Sequence, residues 1–268
     1  MHTHPVTLKP FARCALAIVL LTACGAATAA QCSAKSTEHR VPLLELYTSE
    51  GCNSCPPADR WFSALPTRGL TPDRVVALAF HVDYWNYLGW KDPFSKPEYS
   101  SRQRAASVRN NARFVYTPQL LLDGRDYRRG LFRDDFTDHV NAIGQENAQA
   151  MILLDQVADA DETVTVHVTV AVTDASQRQG ARAYVALYEN NLSNQVTAGE
   201  NRGERLHHDF VVRELLSARP VAPDGKVVFE HRFALERQWK REHLHLAAFV
   251  QSEPAGKTLQ AMAVRICR

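Results

Sequence analysis

The chain has little charge of one sign: 31 Lys and Arg stand against 29 Asp and Glu, for a formal net charge of +2. No long run of Lys and Arg interrupts it, so nothing in it forms a nucleic-acid face. Methionine is scarce, with 3 residues, so no Met-rich segment suits a soft metal. The His pairs His207-His208 and His243/His245 lack a carboxylate or Cys at metal spacing and read as surface residues. No internal repeat and no low-complexity linker is present. Beyond the first 30 residues, no stretch is apolar enough to span a bilayer, which takes about 20 such residues. Hydrophobic content of 45% and charged content of 22% place the rest among globular proteins rather than disordered ones.

Residues 1–30 read as an export signal. Lys9 and Arg13 give a positive start, residues 15–23 a short apolar run, and Ala27-Thr28-Ala29 a small-residue cleavage site. Leu21-Thr22-Ala23-Cys24 also resembles a bacterial lipobox, in which Cys24 carries a lipid anchor. Both readings export the chain to the periplasm or beyond. Of the six cysteines, Cys14 and Cys24 lie in this segment. Cys32, Cys52, Cys55 and Cys267 remain, an even number for an oxidising compartment. Once Cys52 and Cys55 pair, Cys32 and Cys267 are left to join the ends of the mature chain.

Two segments follow with different periods. In residues 41–149, apolar runs at 42–47, 75–82 and 118–122 alternate with helical patterns at 56–65, 98–113 and 134–147. That order calls for an α/β domain of thioredoxin size. In residues 150–268 helical signal is nearly absent. Thr163–Val172 alternates strictly, with Val164, Val166, Val168, Val170 and Val172 on one face. Similar runs at 183–188, 210–212, 227–233, 244–250 and 261–266 predict an all-β, antiparallel, sandwich-like domain.

The chemistry concentrates in Gly51-Cys52-Asn53-Ser54-Cys55-Pro56-Pro57, between the first strand and the first helix. In that setting a CxxC pair reads as redox rather than as half a zinc site. Unpaired N–H groups and the dipole at a helix N-terminus stabilise a thiolate. Cys52 is expected to be exposed and to attack a substrate disulfide, with Cys55 buried and resolving. Pro56 and Pro57 are expected to push Cys55 out of helical φ/ψ. Because β-α-β crossovers are right-handed and leave strands parallel, His81, Asp83, Tyr84 and Trp85 share a rim with Cys52. The rings of Tyr84, Trp85, Tyr87 and Trp90 either line a groove for an extended polypeptide or apolar ligand, or cap the core. His81 is expected to be a strand-end residue bonded to backbone, and Glu45 to face solvent or a partner.

Thr117-Pro118 before the third strand resembles the thioredoxin superfamily, where a cis-proline at that place lies against the CxxC pair and helps dock substrate backbone. The resemblance implies substrate-binding roles for Thr117 and Pro118, and the groove reading of the aromatic rim adds Trp85. Segments 44–61 (LELYTSEGCNSCPPADRW), 81–95 (HVDYWNYLGWKDPFS), 116–124 (YTPQLLLDG) and 199–206 (GENRGERL) also resemble a family of secreted bacterial proteins of unknown function with a thioredoxin-like domain. That family implies fold and export but supplies no reaction. Three functions stand: a thiol–disulfide oxidoreductase acting on protein or peptide thiols and disulfides without an organic cofactor; an envelope binding protein with a permanent Cys52–Cys55 staple; and a soft-metal protein using Cys52, Cys55 and His81.

Overall fold

The computed structural model describes residues 1–2, 30–127, 135–159, 162–253 and 255–267. The expected export signal, its expected cleavage site and Cys24 lie outside the described residues.

Ahead of the first segment lies β1 (Ala30–Lys35), and the segment itself contains β2 (Leu43–Thr48), α1 (Pro56–Ser63), β3 (Val76–His81), α2 (Pro97–Arg109), β4 (Gln119–Leu122), β5 (Arg125–Asp126) and α3 (Phe136–Gly144). The second contains β6 (Ala150–Asp159), β7 (Thr163–Val172), β8 (Ala181–Glu189), β9 (Leu192–Gln195), β10 (Arg205–His208), β11 (Val211–Leu215), β12 (Arg219–Pro220), β13 (Lys226–Ala234), β14 (Leu244–Ser252) and β15 (Thr258–Arg265). The protein is therefore mixed α/β and mostly β, built on several sheets.

Largely apolar β2 and β3 bury every residue, Glu45, Thr48 and His81 included, as parallel strands covered on both faces do. They pair in parallel, Leu43 opposite Val76 through Thr48 opposite His81. β4 pairs antiparallel with β2. This sheet does not stop at the change of period near Gln149. β11 pairs in parallel with β3 at Val211 and Ala79, and the sheet continues through β8 and β14 to β15. Strands of both segments thus share one sheet.

The second sheet runs β1-β6-β7-β13. The Val-rich face of β7 is buried, as its alternation predicts, and packs with Ile152 and Leu154 of β6 against Val185, Leu187, Leu246 and Ala248. The other faces of β8 and β14 send Tyr184, Ala186, Ala247 and Phe249 into a second core with the helices. Strands β8 and β14 are therefore buried on both sides.

Two disulfides are present among the described residues. Cys32 and Cys267 are bonded, with Cα atoms 6.0 Å apart. Cys32 pairs across β6 with Gln156, whose amide accepts from the Cys267 N–H and donates to the Arg265 carbonyl. The bond thus ties the edge strand of one sheet to the end of the other. Two disulfides are the chemistry of an oxidising, extracellular setting. Among the described residues, no helix is long and apolar enough to cross a membrane.

Candidate redox site

Parallel pairing of β2 with β3 delivers two loops to one rim. Residues 49–55 leave β2 and enter α1, and residues 82–96 leave β3 and enter α2. Cys52 and Cys55 are disulfide-bonded at the start of α1, with Cα atoms 5.4 Å apart. The Cys55 N–H donates to the Cys52 carbonyl at 3.1 Å, and the Cys55 carbonyl accepts from Ala58 and Asp59. Cys55 adopts φ −77° and ψ −38°. The expected displacement from helical geometry does not occur. Helical bonds to the Cys55 carbonyl offset the clash with Pro56, so Cys55 belongs to the first turn.

Cys52 is not exposed. It is 1% accessible and Cys55 0%, while Asn53 and Ser54 between them are exposed. Residues far along the chain hold the backbone of this loop. The Asn201 amide donates to the carbonyls of Glu50 (2.8 Å) and Cys52 (3.0 Å), and the Glu200 carboxylate accepts the Asn53 N–H at 3.0 Å. Sequence reasoning had no signal for these bonds beyond the quoted segment 199–206.

Trp85 joins the rim to the predicted docking loop. Its indole N–H donates to Thr117 Oγ1 at 2.8 Å, and Thr117–Pro118 is cis. On its other side it crowds Gly51, where a Cβ would lie 3.0 Å from Trp85 Cβ, so a side chain there would push the loop away. Tyr84 and Trp85 are half-buried and pack on the core; Tyr87 is exposed.

Beneath the disulfide lies a buried polar cluster. His81 is fully buried and is not bonded to backbone. Its Nδ1 meets Asp92 Oδ2 at 2.7 Å, and its Nε2 is buried with no hydrogen-bond partner. Asp92 also accepts the N–H groups of Glu50 and Phe94. Burial disfavours the His81 imidazolium, but Asp92, then Asp59 and Glu50, outweigh it and leave the pKa raised. Burial works against the Asp92 carboxylate as well, yet His81 and the two backbone N–H groups hold its pKa below the usual value. His208 is not a surface residue: it is buried, 4.9 Å ring to ring from His81, with Nε2 3.1 Å from Glu50 Oε1 and Nδ1 3.9 Å from Asp59. Glu50 also accepts from Trp90 and Asn194. Asp59 sits one turn below Cys55 on α1, at a spacing that puts both side chains on one face. Burial raises its pKa, partly countered by His208 and His81.

Glu45 also departs from expectation. It is 1% exposed and bonds Arg102 of α2 at 2.7 Å, and it accepts from Tyr47. Burial of a carboxylate requires such a partner. Among the described residues, no group of three or more His, Cys, Asp or Glu is placed to hold a metal ion.

The fold is similar to that of two solved structures. Protein AGR_C_4864 from Agrobacterium tumefaciens matches with TM-score 0.58 and 24% identity, over 85% of this chain and 96% of that one. HBP35 of Porphyromonas gingivalis matches with TM-score 0.64 and 19% identity, over 86% and 76%. No curated protein matches the chain. The family model described as protein of unknown function (DUF1223) matches residues 43–251, and the chain belongs to that family.

Proposed function

We propose that the chain is an exported thiol–disulfide oxidoreductase with a thioredoxin-like first segment, using Cys52 and Cys55 on protein or peptide thiols and disulfides. The observation that supports it most is the Cys52–Cys55 bond at the first turn of α1, on the rim where Trp85 links Gly51 to Thr117. A helix start lowers the pKa of a thiolate, and Asp59 supplies a nearby group for the proton. In this reading Cys52 is attacked or attacks, Cys55 resolves, and Thr117, Pro118 and Trp85 dock substrate backbone. Export, to the periplasm or outside, belongs to the same proposal, with either a lipid anchor at Cys24 or plain cleavage near Ala29. A Cys24→Ala variant that leaves the membrane fraction supports the anchor; unchanged fractionation supports cleavage near Ala29.

The test is a Cys55→Ser variant treated with a disulfide such as oxidised glutathione. Cys52 is expected to accumulate as a mixed disulfide, visible as a mass increase and lost on adding a thiol, and Cys52→Ser to abolish it. A second reading, a binding protein with a permanent staple, draws on the burial of both sulfurs. It takes over if Cys52 in the Cys55→Ser variant resists both the disulfide and alkylation.

A further inference from the structure

The burial of Cys52 raises a question of access. A thiolate must approach the attacked sulfur from the side opposite the leaving sulfur. At 1% accessibility, Cys52 offers no such approach without local opening. Cys52 Sγ lies 3.3 Å from Ser54 Oγ, and the backbone of the loop that carries both is held by a distant segment. Strands β9 and β10 form a two-stranded hairpin separate from both large sheets. The turn between them reverses at Gly199 (φ +73°) and Gly203 (φ +95°), left-handed conformations that favour glycine. At the tip, the 6%-exposed Asn201 spans two carbonyls of the cysteine loop, those of Glu50 and Cys52, and Glu200 takes the Asn53 N–H. At the base, Asn194 and His208 hold the Glu50 carboxylate. Val196 and Leu206 are buried, so the strands are anchored by packing while the tip is held by polar contacts. Hydrogen bonds of that kind exchange readily for water, which makes the tip the element that opens at least cost.

We propose that the 199–203 turn is a gate over the Cys52–Cys55 disulfide, that Asn201 is its latch, and that the gate restricts exchange to small-molecule thiols and extended chains. This rests on the exchange reading above and names its substrate class. Opening the tip admits a narrow thiol. A folded protein surface requires the whole hairpin to leave α1. The step is balanced. A partner thiolate attacks Cys52 Sγ, the bond between the two cysteine sulfurs breaks, and Cys55 leaves as a thiolate. A second partner thiolate attacks the partner sulfur of the mixed disulfide and releases Cys52 as a thiolate. The partner is oxidised to its disulfide by two electrons, the pair is reduced by two, and water returns protons to the thiolates. Asn201 touches no reacting atom; it is a positioning residue.

The experiment measures reduction of Cys52–Cys55 in the intact mature protein by 2-mercaptoethanol, by an unstructured peptide with one cysteine, and by a folded reduced thioredoxin. Alkylation and mass analysis assign each cysteine. In the wild type, the first two are expected to react and the folded protein to lag by at least roughly tenfold. Asn201→Ala is expected to speed the small thiol about tenfold, the loss expected for two hydrogen bonds of ordinary strength, and to narrow the lag of the folded reductant. Glu200→Gln retains an acceptor for the Asn53 N–H and is expected to match the wild type. If Asn201→Ala does not fold, Glu200→Ala is expected to give the same acceleration at smaller size. Reduction of Cys32–Cys267 serves as the internal reference and is expected to stay unchanged. The gate is overturned if the latch variants react at the wild-type rate, if Cys32–Cys267 accelerates in parallel, or if the folded reductant matches the small thiol in the wild type. A strongly reducing potential with acceleration intact would remove the exchange reading and leave the gate standing, so the two failures are distinguishable.

Discussion

The indole N–H of Trp85 donates to Thr117 Oγ1 at 2.8 Å, across 32 residues of sequence. It fixes the loop after β3 against the residue that precedes Pro118. Trp85→Phe removes the donor together with the pyrrole half of a ring that packs on the core, so the double variant with Thr117→Val is needed to separate the bond from the packing. For loss of the bond we expect about 1 kcal/mol of stability, and Thr117→Val to cost about the same. Chemical denaturation of both single variants and the double variant measures the coupling; full additivity would show that the bond contributes nothing.

The Arg102 guanidinium binds Glu45 of β2 and Gln251 of β14, and stacks over Phe80, Tyr184 and Phe249. It joins strands from both segments through one side chain. Arg102→Ala strands a carboxylate that is 1% exposed, and is expected to cost about 3–5 kcal/mol. Arg102→Ala combined with Glu45→Leu is expected to recover part of that loss. Equal midpoints for the wild type and Arg102→Ala in urea would contradict the role.

His81 and Asp92 make stability depend on pH in a stated direction. The raised His81 pKa stabilises fully below the unfolded-chain value of about 6.5, and that stabilisation is lost as pH rises through the folded value. The lowered Asp92 pKa stabilises above about 3.9, and that stabilisation is lost as pH falls through the folded value. Asp92→Asn is expected to cost about 3 kcal/mol at pH 6 and less at pH 9. Denaturation of both proteins at the two pH values measures the gap. A gap independent of pH would mean that the pair is not charged.

Much of the fold is visible in local sequence, because local rules set it. The Val alternation of β7 gives the sandwich face, the apolar runs give β2 and β3, and their crossover brings residues 82–85 to the rim of Cys52. What was hidden depends on partners far away. Glu45 looks solvent-facing until Arg102, 57 residues later, neutralises it. His208 looks like a surface residue until Glu50, 158 residues earlier, receives it. Cys52 looks exposed because Asn201, which binds its carbonyl, lies 149 residues downstream. The pairing of β11 with β3 leaves no local period at all, and β9 and β10 are too short and polar to show one.

The bond between Cys32 and Cys267 closes a loop with a sequence separation of 235. In the chain-entropy model such a loop stabilises by about 5 kcal/mol. Replacing both residues by Ser should lower stability by that order while leaving Cys52 and Cys55 able to pair. Denaturation with and without the substitutions, combined with thiol counting, measures it. A loss under about 1 kcal/mol would show that the β1–β6 and β14–β15 pairings already hold the ends together.

The reduction potential of the Cys52–Cys55 pair tests the proposed exchange chemistry most directly. Equilibration of the Cys32→Ser/Cys267→Ser variant with glutathione buffers, followed by alkylation and mass analysis, isolates that pair. The exchange reading predicts a value between about −120 and −270 mV, the span of known exchange catalysts. A value below about −300 mV, where structural disulfides lie, would contradict it and leave the bond as a staple.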